Sequence, residues 1–228
     1  MSNTLITVAI DGPSASGKST VARKAARALN FNYVDSGAVY RGLTWKCLRE
    51  GVDTEDAAAV TELVDRTRFE WFVEAGAVRF TLDGEDPGAQ VRSVPVQEHV
   101  SDVAAVPEVR TRVVRFLRDT TRFGNLVMEG RDIGTVVFPD TPYKFYLDAD
   151  PEERARRRHQ EMLKSAASDT TVDKVFASLQ RRDRKDSTRK TAPLQIALGA
   201  QVIDSTTMVA EEVANLVVKQ VRGGLTEQ

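Results

Sequence analysis

Gly12-Pro13-Ser14-Ala15-Ser16-Gly17-Lys18-Ser19 matches the pattern G-x-x-x-x-G-K-[ST] at every specified position. Few short motifs constrain a fold so tightly, because this one works only between a buried strand and a helix start. The flanking residues comply. Leu5 to Ile10 is an apolar run that reads as a buried strand, and Thr20 to Leu29 follows with helical periodicity. Glycines let backbone N–H groups turn inward around an anion without a side-chain clash. The helix that follows contributes unpaired N–H groups and the positive end of its dipole. In such loops a lysine reaches the β- and γ-phosphates and a serine hydroxyl holds Mg²⁺. Those roles fall to Lys18 and Ser19. Gly12 through Gly17, with Thr20, form the cradle.

Downstream, buried-strand patterns recur at Phe31 to Val34, Asn125 to Met128, Tyr143 to Leu147 and Gln201 to Ile203. Helical patterns separate them, at Tyr40 to Gly51, Ala57 to Arg66, Ser93 to Val103, Pro107 to Phe123, Glu152 to Ala166, Val172 to Asp183 and Met208 to Val221. Strands alternating with helices predict a parallel α/β sheet with right-handed crossovers. The exception begins near residue 69. Phe69 to Val73 and Val78 to Leu82 flank Glu74-Ala75-Gly76-Ala77 and read as a hairpin inserted on one side of the sheet.

Charge and cysteine content narrow the function. Lys and Arg total 32 against 33 Asp and Glu, a formal net charge of −1, so no global basic field points to nucleic acid or a membrane surface. One cysteine, Cys47, excludes an intramolecular disulfide and a cysteine-based zinc site. No apolar stretch approaches the ~20 residues of a membrane span, and the first strand begins at once, without a cleavable leader. We expect a cytoplasmic protein.

A phosphate loop alone fits a GTPase, a transport ATPase or a small-molecule kinase. There is no Asn-Lys-x-Asp guanine signature. For a metal carboxylate, Asp35 is the nearest candidate, after the strand Phe31 to Val34. Asp35-Ser36-Gly37-Ala38-Val39-Tyr40-Arg41 follows the second strand, and Glu129-Gly130-Arg131-Asp132-Ile133-Gly134-Thr135 follows the strand at Asn125 to Met128. Ligands of parallel sheets gather at these carboxyl ends, where an arginine can grip a second phosphate with two donors. Arg181 to Arg189 is a mixed-charge run that fits either a solvated helix end or arginines closing over phosphates. The arginines at 154, 156, 157 and 158 pose the same choice. With Lys164 to Thr171 between them, these two stretches look like a lid.

Together these segments closely resemble the bacterial-type cytidylate kinases, over almost the entire chain and in order. The matching residues include Ile10-Asp11-Gly12-Pro13-Ser14, the segments 35–41 and 129–139, Arg182 through Leu194, and Val202-Ile203-Asp204-Ser205-Thr206. The match is weaker across 53–98. The resemblance implies a P-loop three-layer α/β sandwich with a parallel five-stranded core sheet. It also implies a monophosphate-binding insertion carrying a small antiparallel sheet (about 61–105) and a short helical lid (about 151–189). ATP with Mg²⁺ would phosphorylate CMP and dCMP. By motif, Ser36, Arg41, Arg131 and Arg189 would surround the acceptor phosphate. Ser101, Arg110 and Asp132 would recognise cytosine, and Arg182 and Asp186 the sugar. Lys18, Arg131 and Arg189 would be the catalytic cations, and Arg157 one lid contact to ATP, with Arg154 and Arg158 as alternatives. Small-molecule substrates, no nucleic acid, no membrane and a monomeric state complete the expectation.

Overall fold

The computed structural model describes residues 5–164 and 171–226. Among the described residues, seven strands form one sheet: β1 Thr7–Asp11, β2 Asn32–Asp35, β3 Phe69–Glu74, β4 Ala77–Leu82, β5 Leu126–Gly130, β6 Tyr143–Asp148 and β7 Gln201–Asp204. Their order is β3-β4-β2-β5-β1-β6-β7. The five from β2 to β7 are mutually parallel, as the alternation of strand and helix predicts. β1 and β5 lie side by side near the middle, and every residue of both is buried. A parallel sheet covered on both faces demands such continuous burial.

The helices are α1 Lys18–Leu29, α2 Ser36–Arg49, α3 Ala57–Arg66, α4 Val94–Val103, α5 Pro107–Asp119, α6 Pro151–Lys164, α7 Val172–Thr188 and α8 Ala210–Thr226. The pleat divides the core in two. Ala9, Val34, Leu126 and Met128 face Leu43 of α2 and Val113 and Leu117 of α5. Val8, Ile10, Phe145 and Leu147 face Val21 and Ala25 of α1 and Val217 and Val221 of α8. A third, smaller cluster, Ala155, Val175 and Leu179, packs α6 on α7.

The hairpin runs in register from Phe69↔Leu82 to Glu74↔Ala77. Its two turn residues, Ala75 and Gly76, both have positive φ, the geometry that matches strand twist in a two-residue turn. The antiparallel pair does not stand apart from the core sheet. It hooks onto the edge of β2 through one bridge, Tyr33↔Ala77, and the bond from Tyr33 N to Gly76 O at 2.9 Å. Val78, Phe80 and Leu82 are buried against α2, where Gly42 leaves room for the Phe80 ring.

Several boundaries differ from the sequence pattern for local reasons. α2 begins at Ser36, four residues early, because the Asp35 carboxylate accepts the Ala38 N–H at 2.9 Å and caps it. α7 continues beyond Asp183 to Thr188, carrying the mixed-charge run into a helix. After Asp119 the chain tightens into a 3₁₀ turn, Thr120–Phe123, and a π-helical turn spans Ile133–Val137. Of the lid segment Lys164 to Thr171, residues 165–170 lie outside the described residues. No described helix is long and apolar enough to cross a membrane.

Gly12 closes the approach of the loop to the sheet. Its φ is 148°, and a Cβ there would lie 2.0 Å from the Leu147 carbonyl oxygen on the adjacent β6. Gly12→Ala must therefore strain the backbone and displace β6. We expect a loss of about 2 kcal/mol or more, hence a melting temperature lower by roughly 4–8 °C. A variant that melts with the wild type would remove this steric account.

Candidate active site

The loop between β1 and α1 curls through left-handed backbone at Ala15 (φ 60°) and Gly17 (φ 90°), which caps α1. Lys18, the first helical residue, is 5 % exposed. Its Nζ donates to the loop's own Pro13 carbonyl at 2.6 Å and to Ser16 Oγ at 3.4 Å. Burial, followed by repulsion from Arg131, pulls its amine down to about 7. Asp11, just before the loop, moves the other way. Burial raises it to about 6, although it accepts the backbone N–H groups of Ile133 (2.8 Å) and Gly134 (2.7 Å). Those two bonds tie the end of β1 to the segment after β5.

Ser19 Oγ donates to Glu129 Oε1, and the Tyr33 hydroxyl donates to the same oxygen at 3.2 Å. Glu129 is buried near the end of β5, directly beside β1. It stood inside a matching motif, but its sequence reading assigned it no role. A carboxylate near the carboxyl end of a wholly buried strand is the signal that could have found it. Asp35, the expected metal carboxylate, is engaged elsewhere. It caps α2, pairs with Arg41 Nη2 at 2.8 Å and lies 3.5 Å from Arg92. Burial opposes its charge, but Arg41 and Arg92 outweigh that and hold its carboxyl below the usual range.

Arginines and carboxylates then interleave. Arg131 donates to Ser14 Oγ at 2.7 Å and to Asp186 Oδ2 at 2.9 Å. Arg110 is 2 % exposed, donates to Asp132 and to the Ala104 carbonyl (3.1 Å), and stacks 5.3 Å from the Tyr40 ring centre. Arg189 donates to Ala192 O at 2.7 Å but sits only loosely by Asp132 (4.0 Å) and Asp186 (3.9 Å). Burial and Arg131 lower Arg182 to about 10. For Asp186, burial raises the carboxyl, and Arg131, Arg182 and Arg189 more than reverse it.

All the acceptor-side residues named from sequence, from Ser36 and Arg41 to Asp186 and Arg189, line one cavity of about 450 Å³. Ser14, Ala15, Gly17, Lys18, Ser19 and Thr20 line it from the loop side, and its cations outnumber its carboxylates. Several of its buried donors have no hydrogen-bond partner among the described residues: Arg41 Nε, Arg110 Nε, Arg182 Nε, Arg189 Nη2 and the Tyr40 hydroxyl. Buried donors without acceptors are costly in a protein interior, and these belong to residues lining a cavity in which positive charge predominates. Such a space suits a polyanion.

A second cavity of about 260 Å³ opens between the loop, α6 and the start of α8. Ser16, Thr20, Val21, Met208 and Arg157 line it. Arg157 is fixed there by bonds to Ser205 O (2.7 Å), Thr206 O (3.1 Å) and Glu153 (3.1 Å). Of the other two arginines considered for the lid, Arg158 lines the first cavity and donates to Gln97. Arg154 is buried and committed to Ala149 O and Ser14 O, each at 3.1 Å, and to Asp183. Gly12 and Pro13 line neither cavity and act on the loop from behind.

Known proteins resemble this chain over nearly its whole length. The family model described as cytidylate kinase matches residues 8–223. The cytidylate kinase of Caldanaerobacter subterraneus subsp. tengcongensis is 43% identical over 222 residues, covering 97% of each chain. That of Mycobacterium leprae is 45% identical over 226 residues, covering 96% of this chain and 98% of the other. Among solved structures, an uncharacterized protein from Eubacterium ventriosum superposes with a TM-score of 0.51 at 12% identity. That alignment covers 96% of this chain and 99% of that one, a likeness of fold alone. With its loop, its interleaved charges and near-complete matches in hand, the chain belongs to the cytidylate kinase family.

Proposed function

We propose that this protein transfers the γ-phosphoryl group of ATP to CMP and dCMP, giving CDP and dCDP. The observation that carries the reading is one cavity in which Arg41, Arg131, Arg182 and Arg189 share the lining with the phosphate loop, with the buried Arg110–Asp132 pair in its wall. The acceptor phosphate oxygen attacks the γ-phosphorus, the bond to the β–γ bridging oxygen breaks, and ADP leaves. No activated side-chain nucleophile is needed, because such transfers rest on positioning and charge stabilisation.

Ser14 through Thr20 and Arg157 bind ATP in this reading, with Gly12 and Pro13 shaping the loop from behind and the adenosine end in the second cavity. Ser36, Arg41, Arg131 and Arg189 hold the acceptor phosphate. Arg131 and Arg189, with Lys18, neutralise charge on the moving phosphoryl group. Arg182 and Asp186 hold the sugar. Hard oxygen donors suit Mg²⁺, and Ser19 with the adjacent Glu129 fits it; Asp35 would first have to release Arg41. The ion would neutralise phosphate charge. The core (about 1–60, 106–150 and 190–228), the insertion (about 61–105) and the lid (about 151–189) act as one cytoplasmic, monomeric enzyme.

Base choice follows from Asp132, Arg110 and Ser101. Cytosine offers an exocyclic amine as donor with N3 and O2 as acceptors, which a carboxylate, a guanidinium and a hydroxyl complement. Uracil would set its O4 against Asp132. Sites built around hydrogen bonds reject mispaired analogues strongly. A coupled assay across CMP, dCMP, UMP and AMP should show kcat/KM for CMP at least ~100-fold above UMP. Comparable values for both would sink the assignment, and ADP release at full rate without CMP would indicate an ATPase instead.

Lys18 generates a second prediction. Free, it titrates near 7 rather than 10.5; beside a triphosphate its ammonium form is favoured. Above pH 7 nucleotide binding must therefore take up a proton, and affinity must weaken as pH rises from 7 to 9. Calorimetry at pH 8 in buffers of different ionisation enthalpy should report uptake approaching about one proton per nucleotide. Lys18→Met should abolish that uptake and lower kcat by several powers of ten. Equal uptake in the variant would assign the proton to another group.

A further inference from the structure

Ser14 has all three of its polar groups engaged by elements from outside the loop. Its N–H donates to Asp183 Oδ1 at 3.2 Å, its carbonyl accepts Arg154 Nη1 at 3.1 Å, and its hydroxyl accepts Arg131 Nη2 at 2.7 Å. Arg154 Nη1 also donates to Asp183 Oδ2. The partner helices are α6 and α7, so the loop that cradles one nucleotide is fastened to the proposed lid.

Asp183 and Asp186 are three residues apart on α7 and share a face. Asp186 grips Arg131, and Arg131 grips Ser14, so α7 holds the same loop residue twice. The helix also presents Arg182 and Asp186 to the acceptor cavity. Next to Ser14, the Pro13 carbonyl is the anchor of Lys18. A shift of α7 therefore moves Ser14, and with it the carbonyl to which Lys18 is bonded.

We propose that Asp183, braced by Arg154, is a positioning residue that couples seating of the acceptor nucleotide on α7 to the shape of the phosphate loop. Asp183 lines neither cavity and acts through Ser14. The inference rests on the acceptor site proposed above. Coupling of this kind is reciprocal: CMP must tighten the binding of the ATP-site ligand by the factor by which that ligand tightens CMP.

Titration calorimetry of a non-hydrolysable ATP analogue, with and without CMP, measures the factor. In the wild type it should be about fivefold or more. Asp183→Ala should bring it close to 1, with a much smaller change in the affinity of either nucleotide alone. A purely structural Asp183 would lower the melting temperature and leave the factor in place. A folded Asp183→Ala protein that keeps the wild-type factor overturns the inference alone, as does a wild type whose two nucleotides bind independently. A wild type that does not bind CMP overturns the acceptor site as well. Should Asp183→Ala fail to fold, Asp183→Asn decides. It keeps an oxygen for the Ser14 N–H but loses the charge on Arg154, so its factor should fall at least twofold, and an unchanged factor is contrary.

Discussion

Buried Lys18 and half-buried Arg131 lie close enough to repel one another, and most of the site follows from the need to tolerate that repulsion. Asp186 anchors Arg131, Asp132 anchors Arg110, and Asp35 anchors Arg41. Breaking a buried pair such as Arg110–Asp132 by removing a partner typically costs about 3–5 kcal/mol, and in all three pairs the carboxylate holds its arginine in place. The balance is still incomplete. Among the described residues some guanidinium donors remain without acceptors, and Lys18 falls back on a backbone carbonyl with its proton loosely held. In the proposed reading a polyphosphate would supply the missing acceptors. Donors arranged before the ligand arrives need little reorganisation when charge moves, which is the main route by which such sites lower barriers.

The sheet delivers this charge pattern from three strand ends. β1 runs into the phosphate loop, β2 into Asp35 and α2, and β5 into Arg131 and Asp132, in the spatial order β2-β5-β1. Asp11 staples two of these ends together through the Ile133 and Gly134 amides. The hairpin carries none of the site residues proposed for the acceptor. Its buried Phe80 and Leu82 instead pack on α2, the helix that carries Ser36 and Arg41.

Where local chemistry is unambiguous, the architecture was legible in the sequence. The loop's glycines, the Lys-Ser pair and the apolar strand before them place β1 and α1 within a few residues. The hairpin was equally readable from its apolar runs and its Ala75-Gly76 turn. The arginines were not. At 154, 157 and 158 the same residue type on one helix has three fates: bound to Ser14 and Asp183, lining the second cavity, and lining the first. Only their tertiary partners separate them: Ser14 and Asp183 for Arg154, Ser205 and Thr206 for Arg157, and Gln97 for Arg158. Glu129 and Asp183 were overlooked for a related reason. Asp183 is one acid among many in a charged segment and Glu129 one charge at the end of an apolar strand, and the role of each comes from a residue more than a hundred positions away in the chain, Ser14 or Ser19. Helix starts hidden behind a glycine, as at Ser36-Gly37, depend on a cap bond that periodicity does not register.

Two nucleotides facing one another across one cationic cavity is the central claim, and a bisubstrate ligand tests it most directly. Adenosine and cytidine joined 5′ to 5′ through a polyphosphate would fill both cavities at once. Linking two ligands that bind simultaneously raises affinity by about 10²–10⁴-fold over either alone. Calorimetric titration should show that gain over ATP and over CMP at matched salt, with one ligand bound per chain. An affinity no greater than that of ATP would contradict the account, because it would mean that the cytidine end has no site opposite the phosphate loop.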